Sequence, residues 1–188
     1  MAKLAGLLEN ANDFFEATKR CGWTRLKKEK VATNENSPLF IPKIVNMSFA
    51  CELYLKAIAE NKKIAVKKIH RLDKIFLKLP EIVQKEIYDI WRSNAGENIT
   101  DCEYVSKMFL DNLEATANVF IRFRYANEWA GAVVSLQHSF TLEQFEKFSP
   151  LSPKRPCGSP KIYDGFLEQF ALSLKDYAEK LLGKTYNS

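Results

Sequence analysis

The amino-acid sequence predicts an all-α domain. Several long segments repeat apolar residues at three- and four-residue spacing, which is the period of an amphipathic helix. Only 7 glycines and 7 prolines occur in 188 residues, so few positions suit tight hairpin turns. With 46% hydrophobic residues the chain has enough apolar side chains for one core, and we expect a single domain over residues 1–188.

The first predicted helix covers residues 3–20. Its apolar positions are Leu4, Leu7, Leu8, Ala11, Phe14 and Phe15. They recur every three or four residues and therefore lie on one face. Residues 22–41 mix charged residues, Asn, Ser and Pro without a period, so they are predicted to form a long loop insertion.

Residues 42–60 form the predicted central helix. Apolar residues surround almost the whole cylinder, as expected for a helix buried inside a bundle. The exception is one polar row, made of Ser48, Glu52, Lys56 and Glu60. Residues four apart share a face, so this row faces either a slit of solvent or a binding site.

Shorter elements follow the central helix. Residues 70–79 predict a short helix that Pro80 stops, and residues 80–93 predict the next one. A long helix is predicted over 101–126, with Thr100 or Asp101 as its cap.

The last part of the chain is predicted to be a second loop insertion, residues 127–160, followed by a closing helix over 161–182. Within the insertion, residues 130–136 suit a strand, a loop or a packed extended segment, and Thr141 begins a capping-box pattern. The predicted core blocks are therefore residues 3–20, 42–60, 101–126 and 161–182.

Positive charge is concentrated in two segments. Residues 19–30 contain six basic residues and one acid, and residues 62–78 contain seven basic residues against Asp73 alone. Such clustering suits a polyanionic partner, while a solvated surface is the alternative interpretation.

Several kinds of chemistry lack their motifs. The sequence has no P-loop, no HExxH and no GxSxG, and it contains 2 His and 4 widely separated Cys. We therefore expect no metal, no cofactor and no disulfide framework. The N-terminus has no signal-like apolar run, and residues 44–59 are too short and too polar to span a membrane, so we expect a cytoplasmic protein.

The ionisable groups that remain define two candidate constellations. Glu52 and Lys56 are spaced four apart on the central helix, and Arg124 and Glu128 are spaced likewise further on. A guanidinium reaches a carboxylate with two parallel hydrogen bonds, so Arg124 is placed either in a purely structural network or in one that also lines a ligand or RNA site. His70, among basic neighbours, is a candidate general base or phosphate ligand, or simply packs at the start of a helix.

Three blocks of sequence resemble the bacterial HEPN family: residues 44–58, residues 70–76 and residues 123–128. The resemblance covers most of residues 40–182. It implies an up-and-down helical bundle, here with extra short helices and long loops, that forms a homodimer. It also implies RNA or a nucleotide-containing ligand, and a defence or toxin–antitoxin role with a nucleotidyltransferase-type or antitoxin partner.

The family's ribonucleases carry Arg, four to six residues, and then His on a late helix. Neither His70 nor His138 follows an Arg at that distance. The sequence thus predicts either a modified metal-independent ribonuclease, or a non-catalytic module that binds a protein or nucleotide. For the ribonuclease, the predicted catalytic residues are Arg124, Glu128 and His70. The predicted binding residues are Ser48, Glu52, Lys56, Lys67, Lys68, Arg71, Arg122, Tyr125 and Asn127.

Overall fold

The computed structural model describes residues 2–21, 40–95, 103–117, 135–136, 161–162 and 164–186. Its helices are α1 Ala2–Arg20, α2 Phe40–Asn61, α3 Leu72–Phe76, α4 Glu81–Ala95, α5 Glu103–Thr116 and α6 Asp164–Tyr186. Its strands are β1 Ser135–Leu136 and β2 Lys161–Ile162, which pair in parallel with Ser135 opposite Lys161. The all-α class is confirmed for these residues, apart from that two-residue pair.

Helix α2 is the central element. It packs against α1, against α6 and against the short helix α3. Its apolar residues are buried on most sides, as the sequence predicts. Cys51 is fully buried among them and its thiol contacts the Leu167 carbonyl, so burial raises the pKa of this thiol above its usual range.

A second part of the core is aromatic. The rings of Phe76, Trp91, Phe109 and Phe170 come from α3, α4, α5 and α6, with Phe109 lying 5.0 Å from Trp91 and 5.4 Å from Phe76 between ring centroids. Most of these pairs meet edge to face, the geometry that aromatic quadrupoles favour. The cluster therefore holds the short helix α3 against longer elements, although α3 has too few residues to be stable alone.

Within the described residues, α5 ends at Thr116, whereas the predicted helix runs on to residue 126. The Thr116 hydroxyl donates to the carbonyls of Asn112, at 2.9 Å, and Leu113, at 3.2 Å. The next amide, of Ala117, donates to Glu114 three residues back, which tightens the last turn. Residues 118–126 lie outside the described residues.

Two further boundaries differ from the prediction. The closing helix begins at Asp164 rather than at residue 161, because the backbone groups of Lys161–Ile162 pair with β1 instead. Ser135–Leu136 is thus a strand, one of the alternatives left open. The short helix covers Leu72–Phe76 rather than 70–79: Arg71 is extended, and Leu77 to Leu79 form turns before Pro80.

The C-terminus of α2 determines how the chain turns toward the next helix. Ile64 donates its amide hydrogen to the Ala59 carbonyl, and Lys63 donates to Glu60, which is the Schellman pattern. Lys63 has a φ of 57°, in the left-handed region where glycine is usual. The turn reverses the chain and leads residues 64–71 back beside α2.

Candidate functional site

The carboxylate of Glu52 is the centre of the candidate site. Glu52 belongs to α2 and its side chain is only 2% exposed. Its Oε1 atom accepts a hydrogen bond from Lys56 Nζ at 2.6 Å and lies 3.0 Å from His70 Nδ1. Oε2 is buried and has no hydrogen-bond partner among the described residues. One buried oxygen atom therefore joins two side chains of basic character.

The polar row on α2 changes from interior to surface along the helix. Ser48 is buried and its hydroxyl donates to the Ile44 carbonyl at 2.8 Å, so the donor serves the helix itself. Glu52 is buried, Lys56 is 16% exposed, and Glu60 lies at the surface in a 2.7 Å salt bridge with Lys3 of α1. The row reaches the surface at Lys56, beside His70.

The connection from α2 to α3 carries an alternating pattern. Val66 is buried, and Ile64 and Ile69 pack partly buried against the core. The exposed residues between and beside them are Ala65 and five basic residues, Lys62, Lys63, Lys67, Lys68 and His70. We call these five basic residues and Arg71 the basic loop. Because apolar side chains fix the backbone from inside, the basic side chains project from a backbone of defined path.

His70 lies at the end of the basic loop and its side chain is 56% exposed. A carboxylate oxygen only accepts hydrogen bonds, so Nδ1 is the donor toward Glu52. In the neutral imidazole this leaves Nε2 as the acceptor. The arrangement orients a largely exposed histidine and selects its tautomer, which is what a general base or a phosphate ligand requires.

Arg71 and Asp73 form an ion pair at the start of α3. The guanidinium donates through Nε to Asp73 Oδ1 at 3.0 Å and through Nη2 to Oδ2 at 2.7 Å. Burial of Asp73 opposes its ionisation, but the hydrogen bonds from Arg71 and the Lys74 amide outweigh burial and lower the pKa of Asp73. The same pair raises the pKa of Arg71. Part of the arginine's binding capacity is therefore already used.

The structure brings three predicted site residues together, because Lys56 and His70 each contact Glu52. Lys67, Lys68 and Arg71 are on the same connection, with both lysines exposed. The other predicted residues lie outside the described residues: Arg122, Arg124, Tyr125, Asn127 and Glu128.

Sequence reasoning did not pair His70 with Glu52. It also did not identify Asp73, which accepts two hydrogen bonds from the Arg71 guanidinium. The spacing of Asp73 two residues after Arg71, at the start of a predicted helix, is the signal that was available for that contact.

Neither a metal site nor a membrane-spanning helix occurs within the described residues. They contain no group of three His, Cys, Asp or Glu side chains placed to hold a metal ion. None of the helices in this part of the chain is long and apolar enough to cross a membrane. The carboxylate, imidazole and ammonium groups of the site are of the kinds that serve in acid–base chemistry and in anion binding.

Comparison with protein-family models, with curated proteins and with solved structures gives no match for this chain. The functional interpretation therefore depends on the residues themselves.

Proposed function

We propose that this chain is a HEPN-like protein that binds RNA and cleaves it without a metal ion, with His70 as the group that accepts a proton. The observation that carries the proposal is the 3.0 Å contact between His70 Nδ1 and the buried Glu52 carboxylate, within a loop of exposed lysines. An oriented imidazole among cationic side chains suits a substrate with a hydroxyl beside a phosphodiester, which is the repeating unit of RNA.

In the proposed reaction, Nε2 of His70 takes the proton of a ribose 2′-hydroxyl. The 2′-oxygen forms a bond to the adjacent phosphorus, and the bond from phosphorus to the 5′-oxygen breaks. The products are a 2′,3′-cyclic phosphate and a 5′-hydroxyl, whose oxygen takes its proton from water. Lys67 and Lys68 bind flanking phosphates, and Arg124 stabilises the charge that develops at phosphorus.

Glu52 and Lys56 act through His70 in this proposal. Glu52 holds the Nδ1 proton and so keeps Nε2 available to the substrate, as a carboxylate does for a catalytic histidine. Lys56 donates to the same Oε1 atom and fixes the carboxylate rotamer. Both are positioning residues, since neither contacts the substrate.

The test uses the full chain with a fluorescent single-stranded RNA in EDTA, together with His70→Gln, Lys67→Gln/Lys68→Gln and the distant control Lys85→Gln. Loss of general-base catalysis in His70→Gln lowers cleavage by about 10²–10⁴-fold with binding retained. The double lysine variant weakens binding and reduces the slope of log affinity against log salt by about 1.4. RNA that stays intact and unbound at low salt would remove the proposal.

The alternative is a non-catalytic interaction module in which the contacts of Glu52 are structural. Its support is that the same carboxylate links α2 to the segment before α3, which would stabilise the fold in either case. Under this alternative, His70→Gln and Lys67→Gln/Lys68→Gln leave RNA binding unchanged, while Arg124→Ala lowers stability. The proposed homodimer, with an antitoxin or nucleotidyltransferase-type partner, is tested by the mass of the purified protein in solution and by co-purification.

A further inference from the structure

A groove lies between α3 and α5, and Asp73, which accepts two hydrogen bonds from Arg71, is one of its lining residues. Its volume is about 160 Å³. Asp73, Lys74 and Leu77 line it from α3 and the turn after it, while Leu110, Asp111 and Glu114 line it from α5. The groove belongs neither to the contacts of Glu52 nor to the surface formed by the lysines of the basic loop.

The groove exposes apolar surface. Leu77 is 51% exposed and Leu110 is 43% exposed. Within the described residues, the only other large hydrophobic side chain that is exposed is Ile82 of α4. Leu77 lines the groove from the turn after α3 and Leu110 lines it from α5, so an aliphatic side chain that contacts both buries part of each.

The rim of the groove is acidic, although the chain as a whole carries a net charge of +5. Three carboxylates line it, from Asp73, Asp111 and Glu114, and two cations lie beside them, the ammonium of Lys74 and the guanidinium of Arg71. Asp73 is already held by Arg71. Asp111 and Glu114 form no salt bridge within the described part of the chain, although Glu114 also interacts with the charge of Arg71. Asp111 is therefore the less compensated of the two carboxylates. The negative charge that remains at the rim favours a cationic group over a polyanion.

We propose that this groove docks a cationic segment of a partner protein. An aliphatic side chain of the segment contacts Leu77 and Leu110, and a neighbouring Lys or Arg pairs with Asp111 or Glu114. An aliphatic anchor with charged groups at its edge is a common way for a protein surface to bind a peptide. The proposal is independent of RNA cleavage, because no residue that carries the contacts of Glu52 lines the groove.

The experiment measures fluorescence anisotropy of a short labelled Leu/Lys peptide with the full chain, and of the same peptide with Glu in place of Lys. The variants are Leu110→Ala and Glu114→Gln. The matched controls are Ile82→Ala and Glu81→Gln, which remove the same kinds of exposed side chain from α4. Hydrogen exchange of the complex reports which amides become protected.

We expect the Lys peptide to bind and the Glu peptide not to bind. Leu110→Ala weakens binding about fivefold, because half of a leucine's burial is lost. Glu114→Gln weakens it about twofold at low salt. The controls bind as the unmodified chain does, and protection appears in α3 and α5. Absence of binding, equal binding of the Glu peptide, or equal losses in the α4 controls would overturn the proposal.

Discussion

Replacement of Lys56 by Met tests whether the buried carboxylate of Glu52 depends on its ion pair. Glu52 is 2% exposed and Lys56 is 16% exposed, so water reaches neither group freely. Met keeps most of the aliphatic stem of Lys56 but removes the ammonium group that donates to Oε1 at 2.6 Å. After the substitution, the described residues leave Glu52 only the contact with His70, because Oε2 has no partner among them.

The expected loss of stability is large for one substitution. Removal of one partner from a buried ion pair costs about 3–5 kcal/mol, and the remaining His70 contact places the loss near the lower end, at about 3 kcal/mol. For a chain of this length, about 3 kcal/mol corresponds to a decrease in Tm of roughly 6–12 °C. Urea and thermal unfolding followed by circular dichroism measure both quantities.

The chain contains a matched control. Lys85 and Asp89 on α4 have the same four-residue spacing, but their side chains are 68% and 39% exposed. Lys85→Met is therefore expected to change the free energy of unfolding by less than about 0.5 kcal/mol. The double variant Glu52→Leu/Lys56→Met removes both charges and should recover stability to within about 1 kcal/mol of the unmodified chain. If Lys56→Met unfolds no more easily than Lys85→Met, the reasoning about Glu52 is wrong.

Two other predictions concern local contacts. Asp73→Asn should cost about 1–2 kcal/mol at neutral pH, because it weakens the two hydrogen bonds from Arg71. The lowered pKa of Asp73 means that this contribution is full above its ordinary value of 3.8 and disappears as pH falls through the folded value. The difference between the two proteins in urea unfolding should shrink accordingly, and a difference constant with pH would contradict the assignment. Lys63→Gly should raise stability by about 0.5–1 kcal/mol, because glycine adopts a φ of 57° without strain. Lys62→Gly, at a position without positive φ, should lower it, and the same sign in both variants would count against strain at Lys63.

The central helix was predictable because its pattern is complete within the segment itself. Apolar residues on nearly all sides required burial, and the interruption at Ser48, Glu52 and Lys56 marked the place where polar groups needed partners. Periodicity reports only which residues share a face. For that reason the sequence indicated that Glu52 had to be satisfied, but not which side chain would satisfy it.

The contact with His70 depends on the path of a loop, and that path has no clear signature in the sequence. The chain reverses at Lys63, where a glycine or asparagine would have indicated a left-handed residue. The end of α5 was missed for a similar reason. The apolar period continues beyond Thr116, while the amide of Ala117 already bonds three residues back, to Glu114, in a tightened last turn. Contacts of this kind become visible only in three dimensions.

In the basic loop, the residues that determine the backbone path are different from the residues that carry the surface charge. A mutation can therefore change the charge without changing the fold. Ile64, Val66 and Ile69 determine the path of the backbone, and the lysines between them contribute little to the core. Substitutions at Lys67 and Lys68 can therefore accumulate, one at a time, without loss of the folded state. A lineage of such proteins is free to change the charge of this surface while it keeps the same scaffold, and the same positions are available to a designer who wishes to do so.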